Sequence, residues 1–142
     1  MKEYDLVLTT AKPSDRPHFL AWDNPHDLAV NQLCFYNQAE KIDYRLNLLN
    51  RINPNTQFLI LHQHLDREIK AIRDICANAN SRVVLLTGLD CLITYLTIHP
   101  RGQVSIFWQR LINLRQLKAI LWLLLPTPII PHYLPRVVSR LG

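Results

Sequence analysis

Cys91 closes the stretch RVVLLTGLDC, residues 82–91, and a thiol beside the Asp90 carboxylate at the end of an apolar run is the first place to look for chemistry. A cysteine nucleophile needs a base within reach, and His62 and His99 are the imidazoles that can supply one. The competing reading is a lone, buried and inert thiol. His62 and His64 also form an HxH with Asp66 close behind, the beginning of a zinc set, but no further Cys/His pair has ligand spacing and no metal is expected. Trp22, Trp108, Trp122, Tyr95 and Tyr133 can stack on bases, although Trp108 and Trp122 fit core positions equally well.

The elements that would position these residues follow from the hydrophobic pattern. Val83, Val84, Leu85 and Leu86 are apolar without alternation, the mark of a strand covered on both faces in a parallel sheet. Ligands in such sheets bind beyond the carboxyl ends of the strands, so Thr87, Gly88, Leu89, Asp90 and Cys91 are expected to border a ligand crevice. Thr56–Leu61 and Ala119–Leu125 are further apolar strands, and those at Phe58, Val83 and Ile120 are expected at the centre of the sheet. Tyr4–Thr9 reads as a strand or extended arm, followed by a Pro-rich linker, residues 12–17, and a short apolar run, His18–Trp22.

Asn24 as N-cap and Pro25 at the first helical position predict a long helix ending near residues 50–54, with Leu28, Phe35, Ile42 and Leu49 on one heptad line. Leu65, Ile69, Ile72 and Cys76 predict a second helix, with Asp66 and Lys70 paired four residues apart. Residues 89–102 read as a looser connection, and Val104, Phe107, Leu111 and Leu114 as one face of a helix over Gln103–Lys118. The pattern predicts an α/β three-layer sandwich with a mostly parallel sheet of about four or five strands. A single domain is expected over residues 1–142, with a Pro-rich tail from Pro126 that is expected to end in a short helix from Arg136.

Composition narrows the function classes. With 49% hydrophobic and 19% charged residues, the chain is neither disordered nor membrane-like in its averages. The longest apolar run stops at Pro126, well short of a membrane span, and the N-terminus lacks a signal-peptide core, so a cytoplasmic protein is expected. Cys34, Cys76 and Cys91 are odd in number and far apart, which predicts free thiols. Residues 1–90 carry ten Lys/Arg against eleven Asp/Glu, whereas residues 91–142 carry six Lys/Arg and no acid. Arg101, Arg110, Arg115, Lys118, Arg136 and Arg140 are therefore candidates for contacting nucleic acid, against the alternative of a solvated basic face.

The stretches VVLLTGLDC, FWQRLINLRQLK and ILWLLLP together resemble the core of P-loop signal-transduction ATPases of the STAND class, including NACHT-like modules. The likeness covers roughly residues 82–126. It places Thr87 at the magnesium aspartate of a Walker B strand, Gly88 at its glycine, Asp90 at its second aspartate and Cys91 at its glutamate, so two acidic positions are replaced. The helix and strand at Leu111–Arg115 and Leu121–Pro126 are also similar to a segment of bacterial conflict-system proteins.

A phosphate-cradling loop needs closely spaced glycines, yet the chain has only Gly88, Gly102 and Gly142, and the turn WDNPHD offers carboxylates instead. No nucleotide or other cofactor is expected. The expectation is a non-catalytic, degenerate P-loop-like module of a larger bacterial-type assembly, acting through a protein partner or as a homo-oligomer. A nucleic-acid-binding module and a cysteine-dependent enzyme at Cys91 are the alternatives. The apolar, proline-broken tail around Ile129, Ile130, Tyr133 and Leu134 either mediates that contact or caps its own sheet.

Overall fold

A computed structural model describes residues 17–52, 63–131 and 138–141. The strands predicted at Tyr4–Thr9 and Thr56–Leu61 lie outside those residues. Five strands form one sheet: β1 (His18–Trp22), β2 (Ala39–Asp43), β3 (Val83–Thr87), β4 (Ile120–Leu125) and β5 (Val138–Leu141), in the order β2-β3-β4-β1-β5. Every pairing is parallel, with Leu20 opposite Leu124, Leu86 opposite Leu123, and Asp43 opposite Thr87. The α/β sandwich expected from the sequence is the observed architecture.

The two faces of the sheet are covered unequally. Helix α1 (Asp27–Asn37) lays Val30, Leu33 and Cys34 on Leu20, Trp22, Leu85, Trp122 and Leu124. The opposite face holds a larger cluster built with α2 (Tyr44–Arg51), α3 (Leu65–Ala77), α4 (Asp90–Ile98) and α5 (Val104–Ile112) against Phe19, Val84, Leu86, Leu121 and Leu123. Strand β4 is buried at all six positions. At about 1.5–3 kcal/mol for each large apolar side chain removed from water, it is the main hydrophobic investment of the sheet.

Several local expectations are corrected. The long helix over residues 25–50 is two helices with β2 between them. Gln38 adopts a left-handed conformation (φ 52°) and turns its N–H back to the Cys34 and Phe35 carbonyls, ending α1, and Ala39–Asp43 then pairs with β3. Three of the four heptad positions point outward, with Leu28, Phe35 and Leu49 69%, 80% and 61% exposed, while Ile42 on β2 is partly buried against the larger cluster. The start also moves, because Asn24 has φ 49° and α1 begins at Asp27 behind His26.

Residues 90–98 form α4 rather than a loose connection, since Leu92, Ile93 and Leu96 recur at helical spacing and are buried. Gly102 closes the turn after it, where any Cβ would overlap the Leu96 carbonyl. Helix α5 stops at Ile112, six residues earlier than expected, with the Asn113 N–H bonded to the Gln109 and Leu111 carbonyls. The tail ends in strand β5 beside β1 instead of a helix. Before it, Thr127–Ile129 makes a short 3-10 turn, and Ile129 and Ile130 pack against the larger core cluster, so this part of the tail caps its own domain.

Candidate functional site

The carboxyl ends of the strands define the rim where an α/β sheet binds ligands. From β1 the chain passes to α1 on one face, while from the neighbouring β4 it passes to the 3-10 turn packed with the opposite cluster. Adjacent strands whose continuations diverge in this way mark the topological switch point. That point lies between β1 and β4, beside the turn after β3 that the sequence had marked. It is bridged from within: the Asp23 carboxylate accepts the Thr127 backbone N–H at 2.8 Å. A carboxylate therefore occupies the opening turn, where a bound phosphate would be repelled.

The Thr87–Cys91 turn leads from β3 into α4. Thr87 directs its hydroxyl to the Ile42 carbonyl at 3.4 Å. Gly88 has φ 80°, and a Cβ there would lie 2.5 Å from Asp43 Oδ1, so the turn fits only glycine against the start of α2. Asp43 is the cap of that helix, accepting the Arg45 N–H at 2.8 Å. Asp90 is the first residue of α4, where a carboxylate favours the helix dipole.

The Cys91 thiol is partly buried, and burial pushes it above its ordinary pKa, with the Asp90 carboxylate pushing the same way against Arg45. A nucleophilic cysteine requires the opposite shift. His99 stands at the far end of α4, about 12 Å along the axis at 1.5 Å per residue, stacked on Tyr95 with its Nδ1 accepting the Arg101 N–H at 3.0 Å. His62 lies outside the described residues. Burial also raises the Cys34 thiol and moves that of Cys76 to about 11. All three cysteines are free.

Behind the rim lies a polar cluster not read from the sequence. Glu68 is fully buried on the apolar face of α3, between Leu65 and Ile72. Its carboxylate accepts the Tyr44 hydroxyl, two bonds from Arg51 (Nη2 to Oε1 at 2.8 Å and Nη1 to Oε2 at 3.1 Å) and one from Arg67 Nε at 3.2 Å. The Arg51 guanidinium also sits 5.9 Å from the Tyr44 ring centre. Burial alone would raise the Glu68 pKa; the hydrogen bonds from Arg51 and Tyr44 outweigh it and hold the carboxyl below its usual value. Burial and the adjacent carboxylate push Tyr44 well above the usual phenol range. A carboxylate at an inward position of the stripe Leu65, Glu68, Ile72, Ile75 was the available signal, because such a charge has to be paired.

Two of the basic candidates make local contacts. Arg115 Nη1 donates to the Ile112 and Leu114 carbonyls, each at 2.7 Å, and so caps the end of α5. Arg110 pairs with Asp66, which replaces the expected pairing of Asp66 with Lys70. Arg101 and Lys118 are exposed, Arg136 lies outside the described residues, and Arg140 is placed only as part of β5. Among the described residues no three His, Cys, Asp or Glu side chains converge as a metal would require, and no helix is long and apolar enough to cross a membrane. In comparisons with protein-family models, with curated proteins and with solved structures, nothing matches the chain.

Proposed function

We propose that this chain is a non-catalytic, degenerate P-loop-like module that works through protein contacts in a larger regulatory assembly. The observation that carries the reading is the Asp23–Thr127 bridge: the turn after the first strand is closed by a carboxylate where a nucleotide-binding relative of this architecture would cradle phosphate. Thr87, at the position where the resemblance puts a magnesium ligand, spends its hydroxyl on the Ile42 carbonyl. The raised Cys91 thiol gives no support to covalent catalysis.

A contact surface is at hand on the other face. Leu28, Phe35 and Tyr36 stand exposed on α1, beside an open cleft lined by Asn31, Cys34, Phe35, Gln38 and Ser81. Clustered apolar exposure of this kind marks interaction surfaces. Calorimetric titration with Mg-ATP tests the reading. No heat of binding is expected, and micromolar affinity that is unaffected by substitutions away from the sheet rim would overturn it.

A further inference from the structure

Where α3 begins, a cleft of about 390 Å³ opens between that helix and α5. Its lining is Gln63, His64, Asp66, Arg67, Gln103 and Arg110, with Leu65 as its apolar member. The volume suits a small molecule, but the lining is polar and basic where small-molecule pockets are mostly apolar. Two guanidinium groups and an imidazole line it beside the Asp66 carboxylate, and Arg67 also reaches the buried Glu68 behind.

The lining of this cleft is rich in hydrogen-bond donors. Arg67 uses its Nε on Glu68, and a guanidinium fork has four further N–H donors. The first turn of α3 adds backbone N–H groups that the His64 side chain does not cap. Arg110 is held by Asp66, but Asp66 is 86% exposed and Arg110 43%. An exposed pair of this kind contributes little, so an incoming anion can replace the carboxylate on Arg110. Arginine forks match the oxygen geometry of phosphate in particular.

We infer that the cleft lined by Arg67, Arg110, His64 and Gln103 is a binding site for the phosphate of a small phosphomonoester. A polynucleotide is disfavoured, because Arg101 and Lys118 do not line the cleft and Arg115 is turned onto its own helix end. The inference does not rest on the protein-contact reading.

The test is titration of the full chain with inorganic phosphate and with glycerol 3-phosphate, at ionic strength held constant with chloride. Saturable binding is expected for both. Arg110→Gln should weaken it about tenfold, the loss expected for one charge-assisted hydrogen bond. Asp66→Asn should tighten it by about threefold or more, because a competing carboxylate has gone; a gain in affinity cannot come from failure to fold. Any heat from ATP that Arg110→Gln abolishes belongs to this cleft rather than to the sheet rim. The inference is overturned by three results: no saturable binding beyond chloride, equal affinity in Arg110→Gln and the parent, or a single-stranded oligonucleotide that binds while inorganic phosphate fails to compete.

Discussion

Tyr44, the first residue of α2, donates its hydroxyl to the carboxylate of Glu68 on α3, 24 residues further along the chain. Together with the two bonds from Arg51 it ties both ends of α2 to one buried charge. Removing that charge strands Tyr44 and Arg51 without their acceptor. Glu68→Ala is expected to cost about 3–5 kcal/mol, the range for breaking a buried ion pair from one side. Tyr44→Phe should cost less, about 1.5–3 kcal/mol for one hydrogen bond to a charged group. Urea unfolding of the two variants gives the comparison, and equal costs would mean that Tyr44 carries the network.

The same carboxylate sets a pH dependence. Its pKa in the folded chain is held below the ordinary glutamate value by the hydrogen bonds from Arg51 and Tyr44. A depressed acid contributes stability that is present above its unfolded pKa and is lost as the pH falls through the folded value. The urea midpoint should therefore hold down to about pH 5 and decline from about pH 4.5 downward, as expected from the unfolded carboxyl. In Glu68→Gln this decline should be shallower. A parallel decline in parent and variant would assign the acid sensitivity to other carboxylates.

The parts of the fold that were legible in the sequence are those whose burial leaves no ambiguity. Val83–Leu86 and Ile120–Leu125 are unbroken apolar runs because helices cover both of their faces. Strand β2 was not legible: AEKID is an edge strand, partly exposed throughout and carrying three charges, and Ile42 happens to complete a helical heptad with Leu28 and Phe35. The helix at Asp90–Ile98 was obscured by Ile93, Thr94 and Thr97, whose branched side chains lower helix propensity. At the rim, the Thr87–Cys91 turn could be read from a glycine after an apolar run. The Asp23–Thr127 bridge could not, because its partners are 104 residues apart and meet only once β4 is known to lie beside β1.

Gly88 offers a check on the rim itself. Its φ of 80° and the 2.5 Å approach of an added Cβ to Asp43 Oδ1 act against substitution together. Gly88→Ala is expected to destabilise by about 1–3 kcal/mol, as forced left-handed backbone does, and to disturb the cap of α2. Thermal unfolding measures the cost. A change below about 0.5 kcal/mol, the scale of an ordinary surface substitution, would show that the turn relaxes away from Asp43.

The last expectation concerns α1, whose register decides which of its faces is free for a partner. Leu33 is fully buried in the smaller core cluster, whereas Phe35, two residues on, is 80% exposed. Leu33→Ala should cost about 2–5 kcal/mol, because it removes packed methyl groups and leaves a cavity. Phe35→Ala should change stability by no more than about 0.5 kcal/mol, although phenylalanine is the larger side chain. The heptad reading, with Phe35 inward, requires the reverse order. Urea midpoints of the two variants separate the alternatives directly. Light scattering then asks what Phe35 is for: association of the parent chain at high concentration that Phe35→Asp removes, with an unchanged urea midpoint, would place the contact surface on this face of α1.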